Sequence, residues 1–194
     1  VYGGNAKMPF VESDNVDHPV SLYAATKKSN ELMAHAYSHL FDIPSTGLRF
    51  FTVYGPWGRP DMAMFLFTDA IMKKKAIKVF NNGNLSRDFT YIDDIVAGVL
   101  STILENSKDK SLYKLYNIGN SDPVQLMEFI KSIENKLGLE AEKEMFPMQA
   151  GDVNQTWADV NLLRNDYKYK PDTTINDGVE AFVNWYKFYY SVKS

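Results

Sequence analysis

Leu32, Ala36 and Leu40 lie four apart along the chain, and Met33, Tyr37 and Phe41 repeat the interval one position later. Two neighbouring rows at that spacing predict an amphipathic helix over about residues 21–41, with Pro44 as its stop. STGLRFFTVYG, residues 45–55, predicts a buried strand that runs into a turn. PWGRPDMA, 56–63, is a loop on its Pro and Gly content, and MFLFTDAIMKKK, 64–75, is a helix. AIKVFNNGN, 76–84, is a short strand ending in a turn, and SRDFTYI, 86–92, is strand-like.

Asp93 can cap the helix that follows over 94–105, and SLYKLYNIGN, 111–120, is another strand. Asp122, Pro123 and Gln125 then read as the cap, first position and third position of a helix that Gly138 ends. An extended segment leads to a short helix over 159–167, and Thr174 can cap a final amphipathic helix through Tyr190. Helices alternate with strands, which predicts an α/β fold. There is no repeat, no low-complexity segment, and no Gly-rich phosphate loop between a strand and a helix.

Composition narrows the function classes. The chain has 194 residues, 45% apolar, with a formal net charge of −3 and no cysteine. That charge is no footprint for nucleic acid, and disulfide and thiolate chemistry are excluded. No apolar run approaches the ~20 residues of a membrane span. His35 and His39 have an i,i+4 spacing that can hold zinc, but without an evident third ligand they read as exposed helix residues, and no metal is expected. The opening VYGGNAKMPF has no initiator Met and no signal peptide, and reads as the middle of a longer protein.

Two features carry candidate chemistry. Tyr23 and Lys27 stand one helical turn apart, yet Tyr189 and Lys193 repeat that spacing. Spacing alone does not separate a catalytic pair from a surface pair. Arginine is scarce, four residues against seventeen lysines. Arg59 and Arg87 sit beside Gly, Pro and Ser at loop or strand-edge positions, where a guanidinium fork grips phosphate or carboxylate. Arg49 lies inside an apolar strand and predicts a buried ion pair; Arg164 reads as helix surface.

The surroundings of Tyr23 resolve its reading. NVDHP precedes the helix, LRFFTVYGPWGRPDM follows it, and SRDFTYIDDIV, LYNIGN and QAGDV come later in order. This set resembles the extended short-chain dehydrogenase/reductase superfamily, its nucleotide-sugar epimerases, and among them the UDP-glucuronate 4-epimerases. The resemblance runs from Val1 to about Tyr190. It implies the C-terminal part of a Rossmann-like NAD-binding fold together with a smaller mixed α/β substrate domain. Residues 1–55 would be the remainder of the NAD domain. Residues 56–194 would be mainly the nucleotide-sugar domain, with some segments returning to the first.

The implied reaction moves a hydride from C4 of a UDP-hexuronate to NAD and returns it to the other face of a 4-keto sugar. Tyr23 would be general base and acid. Lys27 would tune it and bind the nicotinamide ribose, with Phe50 and Phe51 near the nicotinamide. Thr52, where many relatives have Asn, suits a sugar carboxylate. Arg59 would face the diphosphate or that carboxylate, and Arg87 the diphosphate. Phe80 would lie against the uracil, with core packing as its competitor, and the Lys78 backbone would read the base edges. Asp152 would accept from the uridine ribose, and Gln149 stands where galactose-type epimerases have Arg. Asn117 and Gly119 look structural.

A catalytic Ser or Thr and the Gly-rich loop would lie before Val1, so the 194 residues alone are expected to be inactive. A homodimer in the cytoplasm is implied, and the rows at Ala25, Leu32, Met33 and Ala36 suit either its interface or the domain core. A related dehydratase, decarboxylase or N-acetylhexosamine epimerase, or a non-catalytic UDP-sugar-binding module, are the alternatives.

Overall fold

A computed structural model describes residues 1–105, 111–149 and 151–191. The first half runs α1 (Leu22–Phe41), β1 (Ser45–Phe50), β2 (Thr52–Tyr54), α2 (Ala63–Met72), β3 (Ile77–Val79), β4 (Ser86–Tyr91) and α3 (Ile92–Leu104). The second runs β5 (Tyr113–Ile118), β6 (Pro123–Gln125), α4 (Leu126–Leu137), β7 (Lys143–Met145), α5 (Asn161–Tyr167) and α6 (Ile175–Tyr189). Ser21 starts α1 by accepting from the Ala24 N–H at 3.1 Å, and Asp42, left-handed at φ 50°, closes it two residues ahead of Pro44. Thr174 caps α6 in the same way, accepting from the Asp177 N–H at 3.2 Å.

The apolar run expected as one strand is two. β1 pairs parallel with β5, and β2 pairs parallel with β4 in a different sheet. The change of partner falls at Phe51, whose N–H still donates to the Ile118 carbonyl at 3.1 Å. β6 lies antiparallel on the other side of β4, and β3 pairs with β7.

Two expected caps are corrected. Tyr91 stands at the N-cap of α3, and Asp93 is inside the first turn, where its charge favours the helix N-terminus without a capping bond. Asp122 caps nothing, because Pro123–Gln125 is drawn into the sheet as β6 and α4 begins only at Leu126. Pro123, lacking an N–H, takes the first position of that edge strand, where it breaks no ladder.

Two cores form around this frame. One gathers α2, α4 and α6 over β2, β3 and β4. There Phe129 stacks on Phe89 at 4.2 Å, and Val179 and Phe182 are fully enclosed. Each such side chain contributes roughly 1.5–3 kcal/mol by leaving water. The other packs Ile95, Tyr116, Ile118, Leu163 and Tyr169 between the β1–β5 pair, α3 and α5. A smaller cluster of Tyr2, Phe10 and Val16 seats the N-terminal segment.

A polar hub at β5 locks that segment down. The buried Asn117 amide donates to the Phe10 and Asp159 carbonyls and accepts from the Tyr2 hydroxyl at 2.7 Å. Glu12 accepts from the Asn117 N–H at 2.7 Å. Burial pushes both the Glu12 carboxyl and the Tyr2 phenol above their ordinary values. Asp88 plays a similar part, accepting from the backbone N–H groups of Asn120, Ser121 and Ala158. Burial pushes its carboxyl up, against those donors, which favour the charged form.

Candidate active site

The first turn of α1 presents Tyr23 with 70% of its surface exposed. Lys27, one turn on, shares its face, with Nζ 5.4 Å from the Tyr23 ring centre. The neighbouring Lys28 is turned elsewhere, towards Asp17 at 3.5 Å and Glu31 at 3.7 Å. Lys193 of the second Tyr-x-x-x-Lys lies outside the described residues.

Strand alternation supplies the opposite wall. Phe50 and Thr52 are two apart and face the same way, while Phe51 between them turns its ring towards Tyr2 and Phe10 at 6.1 and 6.4 Å. Phe50 is 54% exposed, unusual for a phenyl ring at a strand end. Tyr23 and Phe50 border three adjoining cavities. One of about 460 Å³ extends past Thr52, Trp57 and Arg59 to Phe182. One of about 490 Å³ runs along Lys27, Glu31 and Arg49. The third, about 300 Å³, reaches Gly151 and Val153 on either side of Asp152.

Arg49 forms the rigid floor. It holds Glu31 through two hydrogen bonds of 2.7 and 2.8 Å and donates to the Tyr2 hydroxyl at 2.6 Å. Burial alone would lower its affinity for the proton, but Glu31 and Tyr2 raise it above that of an ordinary guanidinium. Arg59 is different: its side chain is 73% exposed and its ion pair is with Asp61 at 3.4 Å, in its own loop.

The remaining candidates fall into two sets. Lys78 places Nζ 5.7 Å from the Phe146 ring, and Phe80 meets that ring at 5.5 Å while also packing on the main core. Arg87 donates to Asp152 at 2.7 Å and to the carbonyls of Ser86 and Asn154. Gln149 is exposed, and its carbonyl accepts from the Asp152 N–H at 3.2 Å; Ala150 lies outside the described residues. Tyr23, Lys27, Phe50, Thr52 and Arg59 thus share one set of cavities, whereas Lys78 and Phe80 meet at Phe146, and Arg87 and Gln149 meet at Asp152. Sequence reasoning missed Phe146 and Trp57. Phe146 is paired to Phe80 by the β3–β7 register, which no local pattern announces. His35 packs edge-on against Tyr113 at 5.3 Å. Among the described residues there is no grouping that could hold a metal, and no helix long and apolar enough to cross a membrane.

Comparison with known proteins gives a consistent picture. Residues 1–119 match the NAD dependent epimerase/dehydratase family. The chain is 56% identical over 204 residues to Protein CapI of Staphylococcus aureus, covering 98% of this chain and 61% of that protein. It is 45% identical over 201 residues to a probable UDP-glucuronate 4-epimerase of Rhizobium meliloti, covering 96% of this chain and 59% of that one. The fold superposes on the crystal structure of UDP-glucuronic acid 4-epimerase from Bacillus cereus in complex with UDP-glucuronic acid and NAD. The TM-score is 0.87 at 35% identity, over 95% of this chain and 58% of that one. The chain therefore spans about three fifths of the length of these relatives.

Proposed function

The chain belongs to the NAD dependent epimerase/dehydratase family, and from that membership we propose that the protein inverts C4 of a UDP-hexuronate, interconverting UDP-glucuronate and UDP-galacturonate. The observation that carries this reading is the gathering of Tyr23, Phe50, Thr52 and Arg59 around one cavity of about 460 Å³. Relatives named as UDP-glucuronate 4-epimerases support the choice of sugar.

Tyr23 takes the proton of the C4 hydroxyl as the C4 hydride departs, leaving a 4-keto sugar. Proton and hydride return once the sugar has turned its other face. NAD, when bound, supplies reversible hydride acceptance. The Lys27 ammonium, one turn away, holds the Tyr23 phenolate. Thr52 donates to the sugar carboxylate, and Arg59 neutralises that carboxylate or the diphosphate. Phe80 and Lys78 take the uracil, Arg87 the diphosphate, and Asp152 the ribose hydroxyls, with Gln149 beside it.

Tyr23, Lys27 and Phe50 fit the nicotinamide-ribose end of NAD: an exposed phenol and an ammonium one turn apart beside an exposed ring. The 194 residues contain no Gly-rich strand-to-helix turn for its pyrophosphate, so the chain by itself is proposed to be inactive. Residues 1–55 read as part of an NAD-binding domain and 56–194 as mainly the sugar-nucleotide domain. The return of β5 to pair with β1 supports segments crossing back to the first. A homodimer through α1 is part of the same proposal. Of the rows expected in either core or interface, Leu32, Met33 and Ala36 are exposed on this chain and Ala25 is half-buried.

The test is to incubate the full-length protein with UDP-glucuronate and follow the sugar by NMR. Appearance of UDP-galacturonate, reduced ~10²–10⁴-fold by Tyr23→Phe, is the expected result. Release of carbon dioxide, or conversion of UDP-N-acetylhexosamines alone, would overturn it in favour of a decarboxylase or another epimerase.

A further inference from the structure

The loop from Gly55 to Met62 is built from two tight turns, closed by the Gly58 N–H on the Gly55 carbonyl and the Met62 N–H on the Arg59 carbonyl, both at 3.1 Å. Pro56 and Pro60 further restrict it. Trp57 stands at φ 63°, a left-handed conformation unfavourable for a bulky side chain. Such a conformation persists where the surroundings over-determine it.

Here the surroundings come from the far end of the chain. The Trp57 ring meets Trp185 at 5.3 Å and Tyr189 edge-on at 5.0 Å, both on α6. Trp185 and Tyr189 stack on each other at 5.5 Å, and Trp185 continues to Phe182 at 5.3 Å. Phe182 borders the same cavity as Trp57 and Arg59. The Trp185 indole nitrogen is buried with no acceptor among the described residues, so ring packing holds this ladder. Trp57 itself is 72% exposed, so it adds little to either core. Its contacts instead fix where the loop sits, and with it the Arg59 stem at the cavity mouth.

We propose that Trp57 is a positioning residue: docked on Trp185 and Tyr189, it fixes the 55–62 loop so that Arg59 meets the charged end of the ligand. This rests on the reading of the cavity as a UDP-sugar site. Two measurements on the full-length protein keep the two ideas apart. The first needs no substrate: hydrogen exchange by mass spectrometry of peptides covering 55–62. Trp57→Ala and Tyr189→Ala each speed exchange there, and Trp57→Phe restores most of the protection. Phe188→Ala, on the solvent side of the same helix, does not change it.

The second is turnover of UDP-glucuronate. Losing one aromatic contact raises KM by about two- to tenfold with kcat within about twofold, because the C4 chemistry at Tyr23 is untouched. The Trp57→Ala, Tyr189→Ala pair is then less than additive, and Trp57→Phe recovers KM. Unchanged exchange in both alanine variants, or an equal effect of Phe188→Ala, overturns the positioning role whatever the substrate. Faster exchange in a protein that turns over no UDP-sugar leaves the docking intact and overturns the site reading, and with it the role given to Arg59. If Trp57→Ala fails to fold, Tyr189→Ala and Trp57→Phe decide the same question.

Discussion

Arg87 and Asp152 hold each other at 2.7 Å, although each is a candidate for a different part of a nucleotide. A diphosphate that takes Arg87 meets the Asp152 carboxylate on the same guanidinium and is repelled by it. Asp152→Asn is therefore expected to tighten inorganic pyrophosphate about two- to tenfold while weakening UDP, both read by calorimetry; equal shifts for the two ligands would contradict separate roles. Asn117→Ala removes a hub that satisfies two buried partners and a half-buried one at once, and is expected to cost about 2–4 kcal/mol in urea unfolding. At this scale the sequence was partly legible. The Tyr23–Lys27 face follows from helix geometry, and the Arg49 ion pair from a charge in an apolar run. The mutual grip of Arg87 and Asp152 was not, because it spans 65 positions and no periodicity links its ends.

Among the elements, α6 begins at the Thr174 cap expected of it, and α1 begins at Ser21, a cap that only the structure shows, whereas α4 does not begin where its Asp-Pro signal sits. A local capping signal lost there to a tertiary one, the open edge of β4. The long apolar run divided at Phe51 for a like reason: each half found a different partner strand. The α4–β7 contact offers a test. Glu134 of α4 accepts from the Lys143 ammonium and from the Ala141 N–H at 2.9 Å. Burial would raise its carboxyl, but those bonds hold it below the usual value. A carboxyl lowered in the fold stabilises above its unfolded value and loses that contribution as pH falls through the folded one. Lys143→Met is thus expected to lower stability at pH 7 by about 1–3 kcal/mol and to flatten the acid limb of a pH-dependent melt below about 4. Packing gives a second test. A Cβ at Gly178 would lie 2.2 Å from the Tyr54 hydroxyl, so Gly178→Ala is expected to cost about 1–3 kcal/mol by thermal melting.

For the whole molecule, turnover by the 194-residue chain and by a protein of its relatives' full length should differ by orders of magnitude; comparable rates would refute the view that these residues complete their site only with others. Fold class was legible from the alternation of elements. The arrangement of the strands as three small sheets was not, because register and partner choice are settled by contacts far apart in sequence. The β1–β5 pair carries one more consequence. Ser45 and Phe51 both donate towards β5, so the intervening Thr46, Leu48 and Phe50 turn their backbone groups to the other side, where no described strand meets them. An uncovered row of peptide groups is a template for intermolecular pairing. Purified alone, the chain is expected to scatter more light as its concentration rises, and a charge at that margin, Thr46→Lys, is expected to keep it clear.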